Sequence, residues 1–170
     1  QGLSALDLTK GLSTLWKPNV NACTRCFSHL SGGFIMENNQ LTKINSFTRR
    51  NFSEDEIYIF DVILCDNEID RDAERFSHNS LLSLQKLFIG KTGISDHNPK
   101  SENQLARIFD TQLIKDNSRL TSWGEPYEYL KASVYMIRTD ANKDLIAEIE
   151  GGIKKEVSIS CSAQKKKCSA

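Results

Sequence analysis

The 170-residue chain has no excess of either charge: 22 Lys and Arg stand against 22 Asp and Glu. Phosphate backbones are held by Lys and Arg, so nucleic acid is not expected as the main ligand of a neutral chain. The one basic run, Lys165-Lys166-Lys167, sits beside the C-terminus and reads as a solvated tail. No apolar stretch approaches the length that spans a bilayer. The first residues, Gln1-Gly2-Leu3-Ser4-Ala5-Leu6-Asp7, lack the basic and long apolar regions of a signal peptide. The expectation is a cytosolic protein without a membrane partner. A disulfide framework is missing too, because the five Cys are odd in number and irregularly spaced, which fits reduced thiols.

What is present is ordinary for a globular chain. A hydrophobic content of 39% and a length of 170 residues suffice for one domain around one core. Residues 1–35 are rich in Ser, Asn, Gly and Thr, with only a weak Leu spacing, and end near a Ser31-Gly32-Gly33 hinge. Met36-Glu37-Asn38-Asn39-Gln40 then looks like a natural start. Residues 1–35 are therefore expected to be a flexible or non-native extension without a role in the fold, and 36–170 to form the domain.

Within that domain, residues 57–65 are β-branched and aromatic with almost no polar break, as in a strand buried on both faces. A charged turn, residues 66–72, follows. Residues 79–89 place Leu81, Leu82, Leu84, Leu87 and Phe88 mostly on one helical face, with Gly90 as a stop. A loop carries the chain through His97 and Pro99 to Asn103. Residues 105–114 predict a strand, 115–126 a turn region, and 127–138 a long strand with Leu130, Ala132, Val134 and Met136 on one face. Asp140 caps a helix lined by Ala141, Leu145, Ile146 and Ile149, which Gly151-Gly152 ends. The last strand covers 153–161. The expected fold class is α+β, mainly β: an antiparallel, barrel-like sheet with a few helices packed outside.

Two segments carry residue types suited to chemistry. Gly93-Ile94-Ser95-Asp96-His97 ends in a His within a turn, and Lys155-Glu156-Val157-Ser158-Ile159-Ser160 carries a Ser on an alternating strand. A Ser becomes a nucleophile when a base takes its proton, and His titrates in the range that task needs. Alternation puts Val157, Ile159 and Cys161 on the core face, and Glu156, Ser158, Ser160 and Ser162 on the other. On its own, such a polar row is more often a solvated strand face, and a His in a turn is more often a surface residue.

Their order and wording resemble the prohead maturation proteases of tailed phages, which are similar to the herpesvirus assemblins. The resemblance rests on the G-x-x-x-H segment ending at His97, the V-S-I segment at Val157-Ser158-Ile159, and the helix, Gly-Gly and Lys154-Lys155-Glu156 that precede it. It rests also on the early strand with its Asp66 to Asp72 turn, and covers about residues 43–163. It implies that Ser158 is the nucleophile of a serine endopeptidase and His97 its general base, with Ser160 as the fallback nucleophile. It implies phage scaffolding and major capsid proteins as substrates, self-cleavage, a homo-oligomer acting in the host cytoplasm inside the assembling procapsid, and no cofactor. The alternative is a catalytically inactive assembly protein on the same fold.

In the family, the third triad member lies on a strand after the nucleophile. No Asp, Glu or His follows Ser158 in this chain. The expectation is therefore a domain lacking its closing C-terminal strands, weakly active or inactive. Asp96, Asp61 and Asp110 are the upstream candidates for orienting the His. Separately, Cys23-Thr24-Arg25-Cys26 has the spacing of a zinc chelate. His29, Cys161 and Cys168 could supply the remaining ligands of a metal site, and Cys65 reads as packing.

Overall fold

A computed structural model describes residues 13–16 and 38–162. Its elements are β1 (Ser13–Trp16), α1 (Asn38–Asn45), β2 (Ile57–Asp66), α2 (His78–Phe88), β3 (Thr92–Ser95), β4 (Gln104–Leu120), β5 (Pro126–Ile137), α3 (Lys143–Glu150) and β6 (Ser158–Ser160). One-turn 3-10 helices precede β2, β4 and α3. None of the described helices is long and apolar enough to cross a membrane.

The fold is α+β and mainly β. All six strands join one sheet in the order β2-β5-β4-β3-β1-β6. The four strands from β2 to β3 pair antiparallel; β1 runs parallel to β3 and antiparallel to β6. The long β4–β5 hairpin is its centre. A tight turn closes the hairpin, with the Thr121 amide donating to Glu125 O (2.8 Å) and Gly124 in the left-handed region at φ 91°. The strand β4 runs through residues expected to turn. Asp116 accepts from both the amide and the hydroxyl of Ser118, which packages the polar Asn117-Ser118 step as a bulge instead of a chain reversal.

The apolar stripe of α2 drives the packing. Ser77 caps the helix by accepting from the Ser80 amide. Leu81, Leu84 and Phe88 are fully buried against Leu64, Ile108, Leu130, Ala132 and Val134. Each such side chain contributes about 1.5–3 kcal/mol of burial. Val157, Ile159 and Cys161 pack against this same core. Strands from both ends of the sheet thus meet on one side, and the sheet curls toward α2. On the outer face, α1 sets Ile44 against Ile57, Phe109 and Tyr135.

The expected barrel-like sheet is found only in part: it is not closed into a barrel. The sheet curls but stays open, since β2 and β6 share no ladder. A helix with its side chains is about 10 Å across; α2 lies on the curled side, where strands closing tightly on each other would need the space. The expectation that helices pack only outside fails for the same reason. β6 is also shorter than 153–161, because the Ile153 and Lys154 amides turn back to Glu148 O (2.9 and 3.2 Å) and complete the end of α3. Within residues 1–35, expected to have no role in the fold, Ser13–Trp16 form the strand between β3 and β6; the others lie outside the described residues.

Candidate active site

His97 is delivered by β3. The Ser95 carbonyl ends the strand by accepting from the Asn98 amide at 3.1 Å, and this requires Asp96 and His97 to take consecutive left-handed conformations, φ 54° and 55°. Asp and His are among the non-Gly residues that enter that region most often, though two in a row is uncommon. Asp96 is exposed and His97 half-buried. The loop beyond is tied by the Ser95 hydroxyl to Asn103 Oδ1 (3.4 Å) and by the Lys100 amide to Asn98 Oδ1 (3.3 Å).

Ser158 opens β6. The alternation read from sequence holds: Val157, Ile159 and Cys161 face the core, and Ser158 and Ser160 face away from it. Ser158 is half-buried and Ser160 exposed. The register places Ser158 across from Leu15, and Leu15 across from Ile94. Because β6 runs antiparallel to β1 and β1 parallel to β3, the start of β6 and the end of β3 lie at the same end of the sheet. His97 and Ser158 thus share that end, on either side of β1. Two strand spacings, roughly 10 Å, separate β3 from β6. No hydrogen bond joins the His97 ring to Ser158 among the described residues.

Two of the three carboxylates offered as partners for His97 are engaged elsewhere. Asp61 accepts from Ser133 Oγ at 2.7 Å and pairs with Lys131 Nζ at 2.7 Å. Asp110 pairs with Lys43 Nζ at 2.6 Å. Both belong to the outer face of the sheet, and both expectations are corrected. The Asp66 to Asp72 turn is likewise structural: Asp66 Oδ2 accepts from Tyr127 Oη at 2.7 Å, and Asp70 Oδ1 from the amides of Asp72 and Glu74, each at 2.9 Å.

One His–carboxylate pair went unread in the sequence. His78 Nδ1 lies 2.7 Å from Glu128 Oε2, and Lys115 Nζ lies 4.0 Å from the other oxygen of Glu128. Glu128 stands near the start of β5, which runs parallel to β3, so this pair occupies the sheet end opposite His97. Fifty residues separate the two, and no local pattern announces such a contact.

The thiols in the core are poor nucleophiles. Burial above all, with Asp66 and Cys161 adding, pushes the Cys65 thiol up; burial raises Cys161 as well. Both stay protonated at neutral pH, and reactivity belongs to the thiolate. Cys65 packs against the core as expected. Cys23, Cys26, His29 and Cys168 of the suggested zinc site lie outside the described residues. Among the described residues, no group of three or more His, Cys, Asp or Glu is placed to hold a metal ion.

The chain matches no protein-family model, no curated protein and no solved structure.

Proposed function

We propose that this chain is a serine endopeptidase of the prohead-maturation type, with Ser158 as nucleophile and His97 as general base. The observation that carries the reading is the shared position of the two residues at one sheet end, flanking β1. Residues 61 positions apart in sequence (158 − 97) come to the same sheet end through β-pairing, with β1 between their strands. The left-handed pair at Asp96 and His97 adds weight, since uncommon backbone conformations concentrate at functional positions. In this reading His97 takes the Ser158 proton as the hydroxyl attacks a peptide carbonyl, then protonates the leaving amine. That transfer requires the His97 ring and Ser158, on strands roughly 10 Å apart here, to come within hydrogen-bond reach of one another. The substrates would be scaffolding and major capsid proteins in the assembling procapsid in the host cytoplasm. Self-cleavage and a homo-oligomeric state belong to the same reading, and the chemistry needs no cofactor.

A second reading is a non-catalytic capsid-assembly protein. It is favoured by Asp61 and Asp110 being occupied on the outer face, which leaves His97 without either as an orienting group.

Co-expression with capsid and scaffolding proteins, followed by intact mass spectrometry, separates the two. The protease predicts fragments that vanish in Ser158→Ala and His97→Ala and persist in Ser160→Ala. Unchanged masses in every lane, with particles still assembling, would leave the assembly protein standing.

A further inference from the structure

The walls and the filling of the β1 position depend on each other unequally. β3 is held from its other side by β4, with Thr92 paired to Arg107, Gly93 to Ala106 and Ile94 to Gln104. The chain entering β3 is fixed further by the Gly90 amide to Ile108 O (2.8 Å) and the Ile108 amide to Lys91 O (2.9 Å). β6 is anchored by Val157, Ile159 and Cys161 in the core. Among the described residues β6 pairs with no strand but β1, so its hold apart from β1 is this side-chain packing, whereas β3 has β4 as well. β1 itself spans only Ser13–Trp16 and is paired at three residues to each wall. In sequence, 21 residues (17–37) separate it from α1.

A short strand held between two independently anchored strands is what an added peptide looks like in β-strand addition: main-chain pairing on both sides supplies the affinity. We propose that the slot between β3 and β6 is a binding site for an extended peptide, and that Ser13–Trp16 is its occupant in cis. The ligand class is a peptide segment of the Ser-Thr-Leu-Trp type, lying parallel to β3 and antiparallel to β6. A peptide in this register sets its third residue, the position of Leu15, directly across from Ser158. The site goes beyond the protease reading and does not require it. If that reading holds, the slot is where substrate lies, and β1 competes with substrate for it.

The test uses the full chain and a fluorescently labelled peptide of residues 11–18. Thr14→Pro combined with Leu15→Pro removes two strand amides from β1 and disfavours it in an interior position. Fluorescence anisotropy should then show the labelled peptide binding the double variant about tenfold or more tightly than the unchanged chain, because a tethered occupant competes at high effective concentration. A peptide carrying the same two prolines should not bind. Equal binding to both chains, or none to a folded double variant, overturns the proposal. So does an unfolded double variant by circular dichroism, since the walls are claimed to stand without β1. Ser158→Ala should leave peptide binding within about twofold while ending any cleavage, because main-chain pairing is indifferent to that hydroxyl. Loss of the protease reading therefore leaves the binding result intact.

Discussion

The His78 ring and the Glu128 carboxylate meet at 2.7 Å at the end of the sheet remote from His97. The chain therefore holds a His–carboxylate contact far from its candidate nucleophile, and the two His residues make opposite predictions. His78 is largely exposed, so His78→Ala should cost no more than about 1 kcal/mol, read from urea unfolding. It should also leave cleavage unchanged, whereas His97→Ala should lower it by about a thousandfold or more. A cleavage defect in His78→Ala would move the active site to the other end of the sheet.

The α2 stripe predicts a sharp contrast between neighbouring leucines. Leu81 and Leu84 are fully buried, while Leu82 points outward. Leu81→Ala or Leu84→Ala should cost about 2–5 kcal/mol through lost contacts and a residual cavity. Leu82→Ala should stay within about 0.5 kcal/mol. Denaturant midpoints at constant slope measure both, and similar losses at all three positions would refute the assigned orientation of the helix.

Gly93 has a packing reason to be glycine. A Cβ built there would stand 3.2 Å from the Ala106 Cβ on the paired strand. Gly93→Val should push β3 from β4 and destabilise the chain by about 1–3 kcal/mol. Ala106→Gly in the same chain should recover part of the loss. A Gly93→Val chain as stable as the original would show that β3 and β4 are less closely apposed than their register indicates.

Acid should loosen the turn that enters β2. The Arg50 guanidinium and the Ser53 amide hold the Glu56 carboxyl at about 2, against an ordinary value of 4.5. A depressed carboxyl contributes stability that is complete above its unfolded value and is lost as pH falls through the folded one. Glu68 acts in the same direction: burial opposes its ionisation, but hydrogen bonds from Ser122 and the Ile69 amide lower its carboxyl overall. The melting temperature should therefore hold steady above about pH 5 and decline between about 4.5 and 2. The deficit of Arg50→Ala should shrink over the same interval as Glu56 protonates. A deficit independent of pH would mean that Arg50 acts by packing on Phe52, over which its guanidinium lies at 3.8 Å.

The legible parts of the fold were those whose signal is periodic or an unbroken apolar run. The α2 stripe and the alternation of Leu130, Ala132, Val134 and Met136 lie where pattern placed them, because burial on one face imposes a repeat on the sequence; the run at 57–65 was legible as an unbroken apolar stretch, with Phe60, Val62 and Leu64 on one core and Ile57 and Ile59 on the other. Thr92–Ser95 escaped as a strand because four residues including a Gly carry no repeat. Asn38–Asn45 escaped because a polar helix with one anchor, Ile44, has little stripe to show. The Ser158 face was readable from alternation. The fate of Asp61 and Asp110 was not, since Lys131 and Lys43 reach them across strands and between elements. Curling without closure depends on how α2 fills space, and no local pattern encodes that.

The alternation along 157–161 divides one short stretch between two masters. Val157, Ile159 and Cys161 answer to folding, and changes there should be filtered by solubility before any activity is measured. Ser158 and Ser160 answer only to what meets the outer face. A library randomised at those two positions should express nearly as well as the parent chain, so its survivors would report chemistry or binding directly, unclouded by loss of fold.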